Sequence, residues 1–358
     1  MSTFDLIVVG SGGGPYETNL SSYLFKPCDA SWKDGIIALE AGSGIGTLHQ
    51  LMSRDPALFD KLSAHEVYSL IRCFIISHAH LDHVNGLVLS AGSLQGPRKR
   101  VCAPLHTLKT LETVFADRIW PNLASWDADD AAYKLLYDPF KFDEGYRTIF
   151  PDVSARAMPV LHGKNDTIGD YESSAFFIRH DPSGQEFLFF GDVSPDSLSS
   201  TPQTIAIPAT LSSVFIECSW PSGRPDEQLY GHLSPEHLVD ELAALAAEVV
   251  AARAAKSRAE REREHGDEDD VLPKKKRRRR RNRSVDPPSA PLAGLRVYVM
   301  HCKEDLEQRH SRPIYHVIRD QVAALVQAKG LGAEVLSAEQ GMTISTRSRP
   351  PFKNRTLR

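Results

Sequence analysis

The chain has 358 residues, of which 41% are hydrophobic and 25% are charged, and its formal net charge is -4 at pH 7. This composition excludes a disordered or fibrous protein, and the length allows one large α/β domain or two small ones. No apolar run reaches the roughly 18 residues of a membrane span, and the first residues lack the features of a signal peptide. The sequence therefore predicts a soluble protein of the cytoplasm, with the nucleus as a second option.

The first 225 residues alternate short apolar runs with turn signals, which is typical of strands with helices between them. The predicted strands are FDLIVVG, GIIALEAG, RCFIISH, RKRVCAP, ARAMPVLHG, SAFFIRH, EFLFFGD and SVFIECSW. A helix is predicted over Leu105–Val114. The runs SAFFIRH and EFLFFGD flank Asp181-Pro182-Ser183-Gly184 and predict a hairpin, with His180 exposed at its turn.

The pattern changes to a longer helix after residue 233. Ser234 is its predicted N-cap, Pro235 its first position and Glu236 an acid of its first turn. Apolar residues then recur at helical spacing, at Leu238, Leu242, Leu245 and Val249. The first half of this helix should therefore pack on the core. Further on, LRVYVMH predicts another strand, and a last helix is expected from about Arg312 to Lys329.

A charged insertion, from about residue 253 to 293, lies between the core-packing half of this long helix and the strand LRVYVMH. It is predicted to be helical at its start and disordered after that. Residues 253–283 hold 14 of the 42 basic residues and 7 of the 46 acidic ones. The remaining 28 basic and 39 acidic residues make an acidic body, which is a poor platform for a polyanion. The run Lys274 to Arg281 has eight consecutive basic residues, typical of a nuclear-import signal, a nucleic-acid tail or a solvated insertion. Ser284 follows several arginines and is a candidate kinase target.

The strongest functional signal is His78-Ala79-His80-Leu81-Asp82-His83, directly after the apolar run CFIIS. Three imidazoles and one carboxylate on a turn that leaves a strand can point at one small volume, and these donors are of the zinc type. Three further apolar runs each end on a potential ligand, namely His162, Asp192 and His301. Strand ends hold side chains rigidly, as a metal site requires. Together these residues are enough for two metal ions about 3.5 to 4 Å apart with a bridging carboxylate and hydroxide.

These ligands resemble those of the metallo-β-lactamase superfamily, and ISHAHLDHVNGLVLSAG resembles the class II cyclic nucleotide phosphodiesterases of fungi and some bacteria. Supporting matches are GSGGGPYETNLSSYL, GDVSPD, IECSWPS, YGHLSPEHL and MHCKED. The likeness covers about 4–250 and 293–340. It implies an α/β fold, the four-layer αββα sandwich. Residues 1–345 would form one catalytic domain interrupted at about 253–293, followed by a frayed tail at 346–358.

The resemblance also implies roles for the individual side chains. His78, His80 and His162 would bind one metal ion, Asp82, His83 and His301 the other, and Asp192 would bridge them. The cofactors would be two divalent ions, zinc first, with manganese, magnesium and iron as alternatives. A hydroxide between them would hydrolyse a 3′,5′-cyclic nucleotide, cAMP first, to the nucleoside 5′-monophosphate and so lower cAMP signalling.

Three residues have predicted catalytic roles. Asp82 is counted as a catalytic residue as well as a ligand. The resemblance also implies that His232, in YGHLSP, donates the proton to the leaving O3′, because related phosphodiesterases of this fold have a histidine at the corresponding motif, and Glu217 is the candidate that orients it. The alternative for His232 is that it caps the helix that follows.

The glycine-rich run from Gly10 to Pro15 follows the first predicted strand. A dinucleotide fingerprint would need a third glycine where Pro15 stands, so a Rossmann domain is not expected. We expect these glycines to let the backbone pass close to the metal pocket.

Two alternative functions are open. A ribonuclease Z-like RNA 3′-processing nuclease shares the ligand set, and the basic run would serve as its RNA-binding arm. A catalytically silent nuclear or nucleic-acid-binding protein would act through residues 273–283, although the complete ligand set speaks against it. The phosphodiesterase interpretation predicts a small cyclic nucleotide as the partner and predicts no binding to a membrane or to nucleic acid. An import receptor or a kinase at residues 273–284 and a second copy of the chain in a homodimer are further options.

Overall fold

A computed structural model of the chain describes residues 2–142, 144–167, 169–195, 210–266 and 290–347. Two β-sheets lie face to face in it, and helices cover their outer faces. The helices are α1 (Ile45–Arg54), α2 (Ala64–Leu70), α3 (Leu81–Ser90), α4 (Leu105–Val114), α5 (Pro235–Gly266) and α6 (Ile314–Ala328). Within the described ranges, every helix is too short or too polar to cross a membrane.

The first sheet has eight strands. They are β1 (Ser2–Gly10), β2 (Ser22–Pro27), β3 (Ile36–Leu39), β4 (Ile71–Ile75), β5 (Lys99–Pro104), β6 (Ala124–Ser125), β7 (Leu135–Phe140) and β15 (Thr343–Arg347). Their order is β15-β1-β2-β3-β4-β5-β7-β6. The strands from β15 to β3 pair antiparallel, whereas those from β3 to β6 pair parallel.

The second sheet has seven strands. They are β8 (Arg147–Phe150), β9 (Val153–Asn165), β10 (Gly169–His180), β11 (Gln185–Phe190), β12 (Leu211–Glu217), β13 (Arg296–Met300) and β14 (Glu334–Ser337). Their order is β14-β13-β12-β11-β10-β9-β8. The predicted hairpin is the antiparallel pair β10–β11, and β11 to β14 pair parallel.

Three apolar layers hold these elements together. An aromatic layer lies between the sheets, where Phe25 and Phe187 pack edge to face with ring centroids 5.5 Å apart. One outer layer lies between the first sheet and α1 to α4, and the other between the second sheet and α5 and α6. Because successive strand side chains point to opposite faces, Leu6 joins the inner layer while Ile7 joins an outer one. The predicted αββα sandwich is confirmed.

The parallel strands explain where a functional site can form in this fold. Each of β3, β4, β11, β12 and β13 has a parallel neighbour in its sheet, so their carboxyl ends lie along shared edges. In open sheets of this kind, ligands bind at the loops that follow the carboxyl ends of the strands. The predicted ligands other than His162 lie in such loops or at the start of the helix that follows.

Two predicted segment boundaries were wrong by a few residues. Leu292, placed in the insertion, is buried in the outer layer beside α6, and its N–H donates to the carbonyl of Leu331. Thr346, placed in the tail, is buried in β15, and its hydroxyl accepts the N–H of Phe4. Both residues are fixed by partners far away in the chain, which local composition does not reveal. The basic run, Ser284 and the tail beyond residue 347 lie outside the described residues.

His180 is buried, so its predicted exposure at the hairpin turn was wrong. Its Nδ1 lies 2.8 Å from the Ser183 hydroxyl, and its ring packs edge-on against Phe4 with a centroid distance of 5.8 Å. The first sheet covers this turn, and only the packing of the two sheets places it there.

Candidate metal centre and active site

The seven predicted ligands converge at one edge of the sandwich. His78 and His80 lie between β4 and α3, and Asp82 and His83 lie in the first turn of α3. Asp192 and His301 follow β11 and β13. His162 does not end its strand as predicted, because β9 continues to Asn165 through pairing with β10.

Asp192 lies at the middle of this cluster. Its Oδ2 is 3.7 Å from Nε2 of His78 and 3.6 Å from Nε2 of His162. Its Oδ1 is 3.3 Å from Nε2 of His83 and 3.2 Å from Nε2 of His301. Nδ1 of His232 also lies 3.8 Å from Oδ2. The two carboxylate oxygens therefore face different imidazoles, an arrangement that would suit a ligand shared by two metal ions.

The remaining two ligands complete two groups of four. Nδ1 of His80 lies 3.0 Å from Nε2 of His78, and Oδ2 of Asp82 lies 3.2 Å from Nε2 of His301. Within each group the ligand atoms lie within 4.8 Å of one another. Tetrahedral ligands about 2.0 to 2.1 Å from an ion are themselves about 3.3 to 3.4 Å apart, so these separations fit metal binding. The donor set of imidazole and carboxylate fits divalent metal ions as well.

Burial and neighbouring charges set the protonation states of these ligands in a way that favours a bound cation. Burial lowers the pKa of His78 well below its ordinary value and that of His80 to about 4, so both rings are neutral and offer a lone pair at pH 7. Burial opposes ionisation of Asp192, but the His301 and His83 imidazoles hold its pKa well below the ordinary value. Burial also disfavours a charged His83, yet the surrounding carboxylates raise its pKa well above normal. Positive charge is therefore stabilised at this position.

Backbone and hydroxyl groups orient the histidine ligands through the ring nitrogen that does not face the metal centre. Nδ1 of His162 donates to the carbonyl of Gly231 over 2.9 Å, which leaves its Nε2 free to bind a metal ion. Nδ1 of His301 lies 3.1 Å from the hydroxyl of Ser219. Such outer contacts fix the ring orientation and tautomer of histidine ligands.

Glu40 is a residue of the site that the sequence interpretation missed. It is fully buried, its Oε2 lies 3.5 Å from Nδ1 of His83, and its Oε1 accepts the N–H of Ser77 over 3.1 Å. The signal was available, because GIIALEAG is also an apolar run that reaches a carboxylate at its end. Glu40 thereby supports His83 rather than facing the centre itself.

His232 and Glu217 form a buried pair beside the centre. Nδ1 of His232 lies 3.0 Å from Oε1 of Glu217, so the partner of this side chain is a carboxylate rather than the start of α5. Glu217 also accepts the N–H of Val193 over 2.8 Å and the hydroxyl of Ser219 over 2.8 Å. Burial raises the pKa of Glu217 to about 7 and lowers that of His232 to about 4. His162, Glu217 and His232 also form a third converging group of ligand atoms.

The glycine-rich loop packs on the backbone that carries His301. Ser11 accepts the N–H of His301 over 2.6 Å, and the N–H of Gly13 donates to the carbonyl of Cys302 over 3.2 Å. His301 has a φ of 60°, which is unusual for a residue with a side chain. A Cβ on Gly13 would lie 2.5 Å from Cε1 of His301, so only glycine lets the loop hold this ligand.

Replacing Gly13 with alanine is expected to lower kcat/KM by about 10- to 100-fold, because the added methyl group displaces a ligand ring by a fraction of an ångström or more. The matched control is Gly46→Ala in α1, where an added Cβ meets no atom within 4 Å. Steady-state kinetics and metal content of both variants check the expectation. Full activity of Gly13→Ala would show that the loop does not hold His301.

Solved structures share this fold. The structure of unliganded yeast PDE1 superposes with a TM-score of 0.76 at 23% identity, covering 96% of this chain and all of that one. The short form of human tRNase Z superposes with a TM-score of 0.52 at 14% identity, covering 96% of this chain and 99% of that one. The metallo-β-lactamase fold protein YhfI from Bacillus subtilis gives a TM-score of 0.53 at 14% identity, covering 96% of this chain and 99% of that one. The sandwich and its edge of histidines and aspartates define a protein of the metallo-β-lactamase fold.

Within that fold, a family model described as class II cAMP phosphodiesterases matches residues 57–341. A 3′,5′-cyclic-nucleotide phosphodiesterase of Schizosaccharomyces pombe is 32% identical over 274 residues, covering 68% of this chain and 75% of that protein. The 3′,5′-cyclic-nucleotide phosphodiesterase 1 of Saccharomyces cerevisiae is 27% identical over 313 residues, covering 68% of this chain and 83% of that protein. The chain belongs to the class II cAMP phosphodiesterase family and is a 3′,5′-cyclic-nucleotide phosphodiesterase.

Proposed function

We propose that the chain hydrolyses cAMP to 5′-AMP at a binuclear metal centre and thereby lowers cAMP signalling. The observation that carries the binuclear part is Asp192, whose two oxygens face different imidazoles, those of His78 and His162 at Oδ2 and those of His83 and His301 at Oδ1. The preference for cAMP is supported by the family to which the chain belongs.

Each metal ion would have its own set of side chains. His78, His80 and His162 would hold one with Oδ2 of Asp192, and Asp82, His83 and His301 would hold the other with Oδ1. Zinc is the first choice for this mixture of imidazole and carboxylate, with manganese, magnesium and iron as alternatives. When bound, such ions make hydroxide available near neutral pH and stabilise the charge that grows on the phosphoryl oxygens.

His232 would protonate the leaving O3′, and Glu217 would position it. The carboxylate holds Nδ1 of His232, so Nε2 is the ring atom that is left to face the substrate. The Val193 N–H and the Ser219 hydroxyl fix the carboxylate in turn. Burial lowers the pKa of His232 to about 4 and raises that of Glu217 to about 7, so the proton of this pair would reside on the Glu217 carboxyl. Nδ1 would then take that proton as Nε2 gives its own proton to O3′.

Product analysis tests this function directly. Purified protein, reconstituted separately with Zn²⁺, Mn²⁺, Mg²⁺ and Fe²⁺, is incubated with cAMP, cGMP and a transfer-RNA precursor, and the products are separated chromatographically. We expect 5′-AMP from cAMP and an intact RNA precursor. Cleavage of the RNA but not of the cyclic nucleotide would favour the ribonuclease Z-like alternative instead.

Deleting residues 274–281 is expected to leave kcat/KM for cAMP within about twofold of the wild-type value, because the run supplies none of the proposed metal ligands or proton-transfer groups and salt screens charges outside a site. All seven ligands, His232 and Glu217 lie in other parts of the chain. The same assay on the deletion variant gives the measurement. A loss of more than tenfold would mean that the basic run takes part in the reaction.

A further inference from the structure

Lys303 places a positive charge beside the metal centre. Its Nζ lies 4.0 Å from Oδ2 of Asp82, and that oxygen lies 3.2 Å from Nε2 of His301. Asp82 and His301 both belong to the second group of converging ligands. Among the described residues, no other lysine or arginine lies within 4.0 Å of a carboxylate of the centre. The cation that the protein itself contributes at this edge is therefore Lys303.

Lys303 lies on the accessible side of this ligand group. The side chains of His83 and His301, which Asp82 contacts, are each 1% exposed. The side chains of Asp82 and Lys303 are 23% and 21% exposed. Solvent therefore reaches the ligand group at Asp82 and Lys303. An anion that enters from solvent on this side comes close to the Lys303 ammonium.

The ammonium of Lys303 is held in place but keeps free donors. Nζ donates to the carbonyl of Gly13 over 2.5 Å, and the backbone N–H of Lys303 donates to the carbonyl of Ser219 over 2.9 Å. An ammonium has three N–H groups, and 4.0 Å is too long for a hydrogen bond to Asp82. Two N–H groups therefore have no partner within the described ranges. A cation that is fixed before an anion arrives loses little side-chain entropy on binding.

Ser219 also connects Lys303 to the proposed proton-transfer pair. Its carbonyl accepts the N–H of Lys303, and its hydroxyl donates to Oε2 of Glu217 over 2.8 Å. Glu217 in turn lies 3.0 Å from Nδ1 of His232. Burial lowers the pKa of His232, the Asp192 carboxylate opposes this, and the Lys303 ammonium adds to the lowering. The ammonium is therefore within electrostatic range of the His232 ring as well as beside Asp82.

We propose that Lys303 is a substrate-binding residue, whose ammonium binds a phosphoryl oxygen of the cyclic nucleotide beside Asp82. The phosphodiester is an anion, and a lysine ammonium is a compact charge with several donors that suits phosphate oxygens. A fixed cation at such an oxygen also stabilises the charge that grows there in the transition state. This inference rests on the proposed cyclic nucleotide hydrolysis and deepens it by naming a residue that binds the substrate directly.

The test measures binding of the product 5′-AMP, and of uncharged adenosine, to Zn²⁺-reconstituted protein by isothermal titration calorimetry. Lys303→Met keeps the length of the side chain but removes its charge. Its Kd for 5′-AMP should rise by about tenfold or more, the effect of losing a hydrogen bond between charged groups. Its affinity for adenosine and its metal content should stay at the wild-type values, and kcat/KM for cAMP should fall by a similar factor.

Two further variants make the comparison specific to charge at this position. Lys303→Arg should recover much of the affinity for 5′-AMP, because it restores a cation. Lys329→Met is the matched control, because Lys329 pairs with Asp240 at the surface, away from the centre. It should bind 5′-AMP as the wild-type protein does.

The outcomes separate this inference from the proposed function. Unchanged 5′-AMP binding in Lys303→Met would overturn the role of Lys303 and leave the proposed function in place. A lower metal content in that variant would also overturn it, because Lys303 would then hold Asp82 and Gly13 in place rather than bind the substrate. A wild-type protein that cleaves no cyclic nucleotide would overturn the proposed function itself. If Lys303→Met fails to fold, as judged by circular dichroism, the same measurements on Lys303→Gln decide.

Discussion

Replacement of Asp192 by asparagine is expected to lower kcat for cAMP by about three orders of magnitude or more while the fold is retained. Asparagine keeps the shape but removes the negative charge and one of the two oxygens that face different imidazoles. Without this carboxylate, two metal ions would no longer share a ligand. Electrostatic stabilisation of the transition state is commonly the largest contribution to such catalysis, so kcat should fall steeply. Asp82→Ala, which removes a ligand from one side, is expected to abolish turnover as well.

Metal analysis makes this prediction specific. The metal content per chain should fall by at least one ion in Asp192→Asn, with an unchanged circular dichroism spectrum. Asp240→Asn is the matched control, because its carboxylate pairs with Lys329 at the surface, away from the centre. An Asp192→Asn protein with wild-type turnover and wild-type metal content would contradict the bridging role.

Replacement of His232 by alanine is expected to lower kcat for cAMP by about 10²- to 10⁴-fold, the usual contribution of a positioned proton donor. The loss should depend on the leaving group. Bis(p-nitrophenyl) phosphate releases a phenolate that needs no proton, so its hydrolysis should change by less than about tenfold. Glu217→Gln should show the same pattern with a smaller loss, because it disturbs only the anchor of His232.

The leaving-group comparison also tests the other role open to His232. Since His162, Glu217 and His232 converge as a possible ligand group, a metal-binding role predicts equal losses on both substrates and a lower metal content. We expect an unchanged metal content in His232→Ala. His316→Ala, a change in a half-buried histidine on α6, is the control for general effects of losing an imidazole.

Local patterns were enough to predict most of the elements. The helix Leu105–Val114 was predicted with both of its ends, and the strand on either side of the turn at 181–184 was predicted as a hairpin. These elements are short and amphipathic or apolar, and their periodicity reports which side chains are buried. His180 and Leu292 were misplaced because partners distant in the chain bury them.

The sequence predicted some residues of the site and not others. His78, His80, Asp82 and His83 were evident because ligand-type side chains crowd a turn directly after an apolar strand. Glu40 carries the same signal in a weaker form, as a single carboxylate after an apolar run, and was missed.

The sequence by itself determined which donors are present and that most of them stand where apolar strands end, because both properties are local. Only the tertiary structure decided which atoms meet. Asp192 faces five imidazoles from separate parts of the chain, and His232 meets Glu217 across a loop. These contacts depend on strand order and on parallel pairing, which bring separate strand ends to one edge. No periodicity along the chain contains that information, because it arises from the packing of one sheet against the other.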